Sequence, residues 1–138
     1  MFRAWRLYRH NIVTDGDPYM TRWVFRHPWG TVRLHRIYRE DRDPHPHDHP
    51  WAFISLILWG GYREERYHRI QAVGKPATFE SRWIRRGSIN RVHATSVHRI
   101  AEVLPNTWTL CLSGPKVRSW CFHTPEGPVP WRTYLGLA

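Results

Sequence analysis

An all-β sandwich or barrel is the fold class this sequence predicts, and three observations predict it. Short runs rich in aromatic and β-branched residues recur along the whole chain. Turn residues separate them at the roughly 8 to 12 residue spacing of such folds. No apolar pattern of helical period persists for more than about two turns.

In chain order, Phe2 to Tyr8 sets Arg3, Trp5 and Leu7 against Phe2, Arg6 and Tyr8, the period of a half-buried strand. Thr14 to Pro18 is a turn cluster. Met20 to His27 and Thr31 to Arg39 are strand patterns joined by Pro28-Trp29-Gly30, which reads as a hairpin. The charged loop Glu40 to Pro44 leads into a histidine-rich stretch, and its carboxylates are placed to orient imidazoles. Ala52 to Trp59 is apolar at both alternating positions, so we expect a central strand covered on both faces. Gly60-Gly61 turns into Tyr62 to Ile70, an alternating polar strand, and Val73 to Pro76 turns again. Phe79 to Ile84, Ile89 to Val92, Val97 to Val103 and Thr107 to Leu112 follow as further strands. A hairpin looped at Gly114 to Arg118 would pair Ser113 with Ser119, Cys111 with Cys121 and Thr109 with His123, setting both thiols and His123 on one face.

The 138 residues, 41% of them hydrophobic, are enough for one domain spanning 1–138 with its own core. The longest apolar run, Trp51 to Trp59, is broken by Ser55 and is far shorter than a membrane-spanning helix requires. The amino terminus has no apolar segment of the signal-peptide kind, which points to a cytoplasmic protein with two free, buried thiols. Net charge is +10, from 21 basic and 11 acidic residues, beside nine tryptophans. Basic and aromatic residues together raise the question of nucleic acid. The arginines are scattered, however, so the expectation is weak, non-specific polyanion binding. We find no nucleophile elbow, no phosphate-binding glycine loop and no Cys-x-x-Cys.

The candidate site lies in His45-Pro46-His47-Asp48-His49-Pro50-Trp51. In extended chain, residues two apart share a face, so the three histidines point one way and Asp48 another. Neighbours in that set lie roughly 6 to 7 Å apart and can close on one metal ion, whereas His45 and His49, about 13 Å apart, cannot. The pair is therefore His45/His47 or His47/His49. Pro46 and Pro50 stiffen the mount.

The order of features resembles a cupin, a small double-sheet jelly roll that holds a metal inside its barrel. His47-x-His49 and Gly60 fall in the register of the family's first motif, and the motif's acid position is Phe53. The second motif is matched by Arg86 to Ile100, which offers His93 or His98 as a third ligand. His98, inside the apolar pattern of Val97, Ile100 and Val103, is the better placed. The resemblance thus implies a three-histidine site of His47, His49 and His98, with His45, His93 and His123 in reserve. Trp108 to Gly127, the His47 to Trp51 stretch and Gly60-Gly61-Tyr62 together resemble uncharacterised bacterial and phage cupin-like proteins.

Imidazole ligands with open coordination positions suit Fe(II) foremost, or Zn, Ni, Mn or Cu. The first expectation is a non-haem Fe(II) oxygenase acting on a small molecule or side chain. A metal-dependent isomerase or lyase is the second. A non-catalytic protein holding nucleic acid or an acidic partner on its basic, Trp-rich surface is the third. Homodimerisation is also expected from the resemblance.

Overall fold

The structure is a computed structural model that describes residues 6–14 and 16–137. Eleven strands and one helical turn follow one another in it: β1 (Arg6–Thr14), β2 (Asp17–His27), β3 (Gly30–Ile37), β4 (Phe53–Trp59), β5 (Gly61–Arg69), β6 (Thr78–Arg85), β7 (Ile89–Val92), β8 (His98–Val103), β9 (Thr107–Ser113), β10 (Cys121–Thr124), β11 (Gly127–Pro130) and α1 (Trp131–Tyr134). They form a six-stranded sheet in the order β1-β2-β3-β9-β4-β7, a three-stranded sheet β6-β5-β8 and the pair β10-β11. Every strand pairing is antiparallel. This is the all-β jelly roll expected from the sequence.

The first strand runs from Arg6 to Thr14, later than its sequence pattern, and residues 2–5 of that pattern lie outside the described residues, as does residue 15 of the first turn. The β2–β3 hairpin turns where expected, with His27 opposite Gly30. The two larger sheets meet where Ile57 of β4 packs on Tyr62 of β5 and Ile84 of β6, flanked by Ile100 and Val103. At the β4–β5 corner Gly60 takes φ +70, and a Cβ there would fall 2.4 Å from Thr107 Oγ1. Thr107 Oγ1 accepts from Gly61 N–H at 3.1 Å and donates to Leu104 O at 2.7 Å, which locks the corner.

Two expectations fail. Strand β4 is neither central nor covered on both faces: it is second from one edge, Ser55 and Ile57 face inward, and Ile54 and Leu58 are exposed on the far side. Apolarity on both faces did not imply burial, because this sheet carries aliphatic side chains on its outside. The hairpin looped at Gly114 to Arg118 does not form either. Strand β9 is already paired on both edges, with β3 and β4, so β10 pairs with β11 instead. The Gly114 to Trp120 segment runs beside the histidine stretch, where Val117 N–H donates to Pro50 O at 2.9 Å. Cys111 and Cys121 are both free, the first buried as expected and the second only half-buried. No described helix is long and apolar enough to cross a membrane.

Candidate metal centre

His47 behaves as a strand one residue long. Its N–H donates to His98 O and its carbonyl accepts from His98 N–H, both at 3.0 Å, which ties it to the start of β8. On its other side it bridges to Phe122 of β10, where Asp48 N–H donates to Cys121 O at 3.1 Å and His123 N–H to Pro46 O at 2.8 Å. The histidine stretch therefore stitches β8 to β10. Residues opposite each other in an antiparallel pair share a face, which puts the His47 and His98 rings together. His49, two residues on, joins them by the alternation of extended chain, and its N–H is fixed to Ala94 O at 3.0 Å.

In consequence one ring nitrogen from each of His47, His49 and His98 lies within 4.8 Å of the others. Ring centroids are 5.0 Å apart for His47–His49 and His47–His98, and 4.6 Å for His49–His98. Asp48 points away, as its parity requires. Its carboxylate accepts from Cys121 N–H at 2.8 Å and from His123 Nε2 and Arg118 Nη1, both at 2.9 Å. Burial raises its pKa, but these three donors outweigh that and leave it below the ordinary value.

The histidines held in reserve are elsewhere. His45 bonds the Tyr134 hydroxyl at 2.9 Å, and His123 is committed to Asp48. His93 follows the last residue of β7, its carbonyl accepting Ser96 N–H at 3.0 Å, and it is not in the cluster. The Glu40 to Pro44 loop does not orient the imidazoles. Asp41 instead accepts from Tyr19 Oη at 2.5 Å and from Ile100 N–H at 2.8 Å.

That orienting role falls to Glu64 of β5, which the sequence reading missed. Glu64 is fully buried, and its Oε1 lies 2.6 Å from His98 Nδ1. Arg66 Nη2 donates to both its oxygens at 3.3 Å, and Asn90 Nδ2 to Oε1 at 3.2 Å. Burial pushes the carboxyl up, but the His98 hydrogen bond and charge, with Arg66 and Asn90, bring it down to about 2. The carboxylate thus fixes the His98 ring through Nδ1 and leaves Nε2 turned toward His49. The signal was present in Tyr62-x-Glu64-x-Arg66, an acid and a base on one face of a strand, yet nothing local tied it to a histidine 34 residues on.

The three rings suit a metal ion on chemical grounds. Burial lowers the His47 pKa to about 4, and burial together with the neighbouring His98 and His47 lowers that of His49 further, so both are neutral near pH 7. Neutral imidazole is the form that ligates. His49 Nε2 and His98 Nε2 lie 3.2 Å apart, close to the roughly 3.4 Å separating two nitrogens bound at about 2.1 Å to a tetrahedral ion. His49 Nδ1 is buried without a partner. Aromatic side chains wall the cluster: Phe53 against His49 at 4.9 Å, and Trp120 and Phe122 against His47 at 5.8 and 5.9 Å. Behind that wall, Trp131 and Tyr134 of α1 stack on Trp120 and Phe122.

No family model matches the sequence, and no curated protein matches it. Solved structures do resemble it. A cupin-2 domain protein from Rhodospirillum rubrum superposes with a TM-score of 0.58 at 14% identity, over 92% of this chain and 82% of its own. KdgF from Halomonas sp. gives 0.55 at 17% identity, over 83% and 90%. HppE in its Fe(II) form gives 0.58 at 10% identity, over 78% of this chain and 56% of its own, so this chain spans little more than half of that protein. At these identities the likeness concerns architecture alone: the chain folds as a jelly roll similar to that of these proteins.

Proposed function

We propose that the protein is a mononuclear metal-dependent enzyme in which His47, His49 and His98 hold the ion. One observation carries this reading: three imidazoles converge inside an aromatic wall, one of them turned inward by a buried carboxylate. A site of structural metal alone is usually closed by a fourth protein ligand, whereas three ligands leave a position for substrate. Fe(II) is the favoured ion, since histidine ligands suit it and Fe(II)-loaded HppE is among the similar folds. Bound there, the ion would supply a Lewis-acidic or oxygen-binding centre. The reaction class this favours is oxygenation of a small molecule. The chain's own part is to hold His47 and His49 neutral by burial, fix the His98 ring through Glu64 and exclude water with Phe53, Trp120 and Phe122.

The test is elemental analysis of untagged protein reconstituted with Fe(II), Zn, Ni, Mn or Cu. Wild type should bind one ion per chain. His47→Ala, His49→Ala and His98→Ala should lose it while keeping the circular dichroism of the fold, and His45→Ala should stay near wild type. Nitric oxide binding to the iron-loaded protein then tests for an open position. Full occupancy in His47→Ala, or no metal in wild type, would overturn the reading.

A further inference from the structure

The inner face of the six-stranded sheet carries positive charge to which, among the described residues, no carboxylate is paired. Register aligns Arg22 of β2 with His35 of β3 and Thr109 of β9, and in the adjacent inward row Val24 with Arg33 and Cys111. These rows continue onto Ile57 and Ser55 of β4. Directly opposed residues share a face, and the Ile57 face is the one packed on the three-stranded sheet. Arg33 is only 5% exposed. Its Nη1 donates to a neutral group, Ser113 Oγ, at 2.6 Å, and its guanidinium lies 4.3 Å over the Trp51 ring. Arg22 Nη2 reaches the Met20 sulfur, at 3.8 Å, while Arg22 Nε and His35 Nε2 are shut off from solvent with no partner among the described residues. Among the described residues neither arginine has an ion pair.

Other arginines near the interior are neutralised: Arg66 by Glu64, Arg99 by Glu65, Arg118 by Asp48. An unpaired guanidinium beneath the surface is costly to keep charged, and burial does lower the pKa of both Arg22 and Arg33. His35 adds no charge, since burial and then the two arginines push it down to about 3. Guanidinium forks match the two oxygens of a carboxylate or the face of a phosphoryl group. We propose that this face is an oxyanion-binding site, in which Arg22 and Arg33 grip the carboxylate or phosphoryl group of a small molecule beside His35 and Thr109. Ser113, the anchor of Arg33, pairs with Phe53, whose ring lies against His49. An anion held here therefore sits on the same interior face as the histidine cluster. The charge arrangement is independent of whether those histidines bind metal.

Metal-free protein is titrated with inorganic phosphate and with acetate at fixed ionic strength, by calorimetry and by the shift of the thermal midpoint. Wild type should bind one of them saturably, and the preferred anion distinguishes a phosphoryl from a carboxylate ligand. Arg22→Gln and Arg33→Gln should each bind at least about tenfold more weakly, the scale of a charged hydrogen bond, and should melt no lower than wild type without anion. Arg85→Gln, exposed on β6, should bind as wild type does. No saturable response in wild type, or an anion response that persists in both inner variants, would overturn the proposal. So would a lower midpoint in both inner variants with the anion response unchanged, since the arginines would then be structural. Failure of metal binding leaves these outcomes untouched.

Discussion

At Glu64 a full negative charge lies out of contact with water, which costs several kcal/mol unless donors surround it. The donors are His98, Arg66 and Asn90. Glu64→Gln keeps the volume and removes the charge, so the protein should fold while the His98 tautomer loosens. Metal affinity, measured by competition with a chelator, should fall about 10 to 100-fold, the usual cost of losing such a support. An unchanged affinity would show that His98 is held by packing alone. His35 gives a second prediction. Its folded pKa of about 3 lies below the ordinary 6.5, so as pH falls the unfolded chain takes up a proton that the folded protein refuses. Its contribution is complete above about pH 6.5 and is lost progressively from there toward pH 3. Urea midpoints between pH 7.5 and 4.5 should fall less steeply in His35→Gln than in wild type, and parallel slopes would refute the assignment. The histidines could be singled out in the sequence because their parity and spacing are local properties. Glu64 and the Arg22–His35 row could not be, since each depends on cross-strand register.

Between elements, the β4–β5 corner is where backbone and side chain constrain each other most tightly. Gly60 sits at positive φ with Thr107 pressed against the place a Cβ would take. Gly60→Ala adds backbone strain to a clash in a spot where Thr107 is bonded on both sides. It should cost about 2 to 4 kcal/mol in chemical denaturation, and a cost under about 1 kcal/mol would mean that the corner yields easily. The β2–β3 hairpin was readable because its turn residues and the strands they join are consecutive. The neighbours of β9 were not. It pairs with β3 and β4, both distant in sequence, and that non-local pairing is why the anticipated Cys111–Cys121 register does not exist. The histidine stretch illustrates both cases: its stiff, extended character follows from Pro46 and Pro50, but its lodging between β8 and β10 follows from the whole jelly roll.

Over the whole molecule, the polar and apolar faces of the six-stranded sheet are partly exchanged. Its inner face carries Arg22, Arg33, His35, Ser55, Asn90, Thr107, Thr109 and Ser113, while Leu7, Ile54, Leu58, Ile89 and Leu112 are exposed. That is why hydrophobic patterning located the strands but misjudged how β4 is covered. The same arrangement bears on the charge of +10. Much of it is not free to meet phosphates. Arg63, Arg66, Arg99 and Arg118 are held by carboxylates. Arg9, Arg36 and Arg86 lie over tryptophan rings on three different strands or turns, and Arg22 and Arg33 face inward. The remaining exposed arginines are divided between sheets, Arg6 opposite Arg26 across β1 and β2, and Arg82 and Arg85 on β6, so one polyanion should touch few of them together. Each phosphate contacted contributes about −0.7 to −0.9 to the slope of log affinity against log salt. We therefore expect retention on a single-stranded DNA or heparin column with a slope no steeper than about −3 and release by roughly 0.2 M salt. Retention should not depend on base sequence. A much steeper slope, or sequence-selective binding that survives that salt, would mean that the arginines act together as one surface and that nucleic acid, not a small molecule in the barrel, is the partner the charge serves.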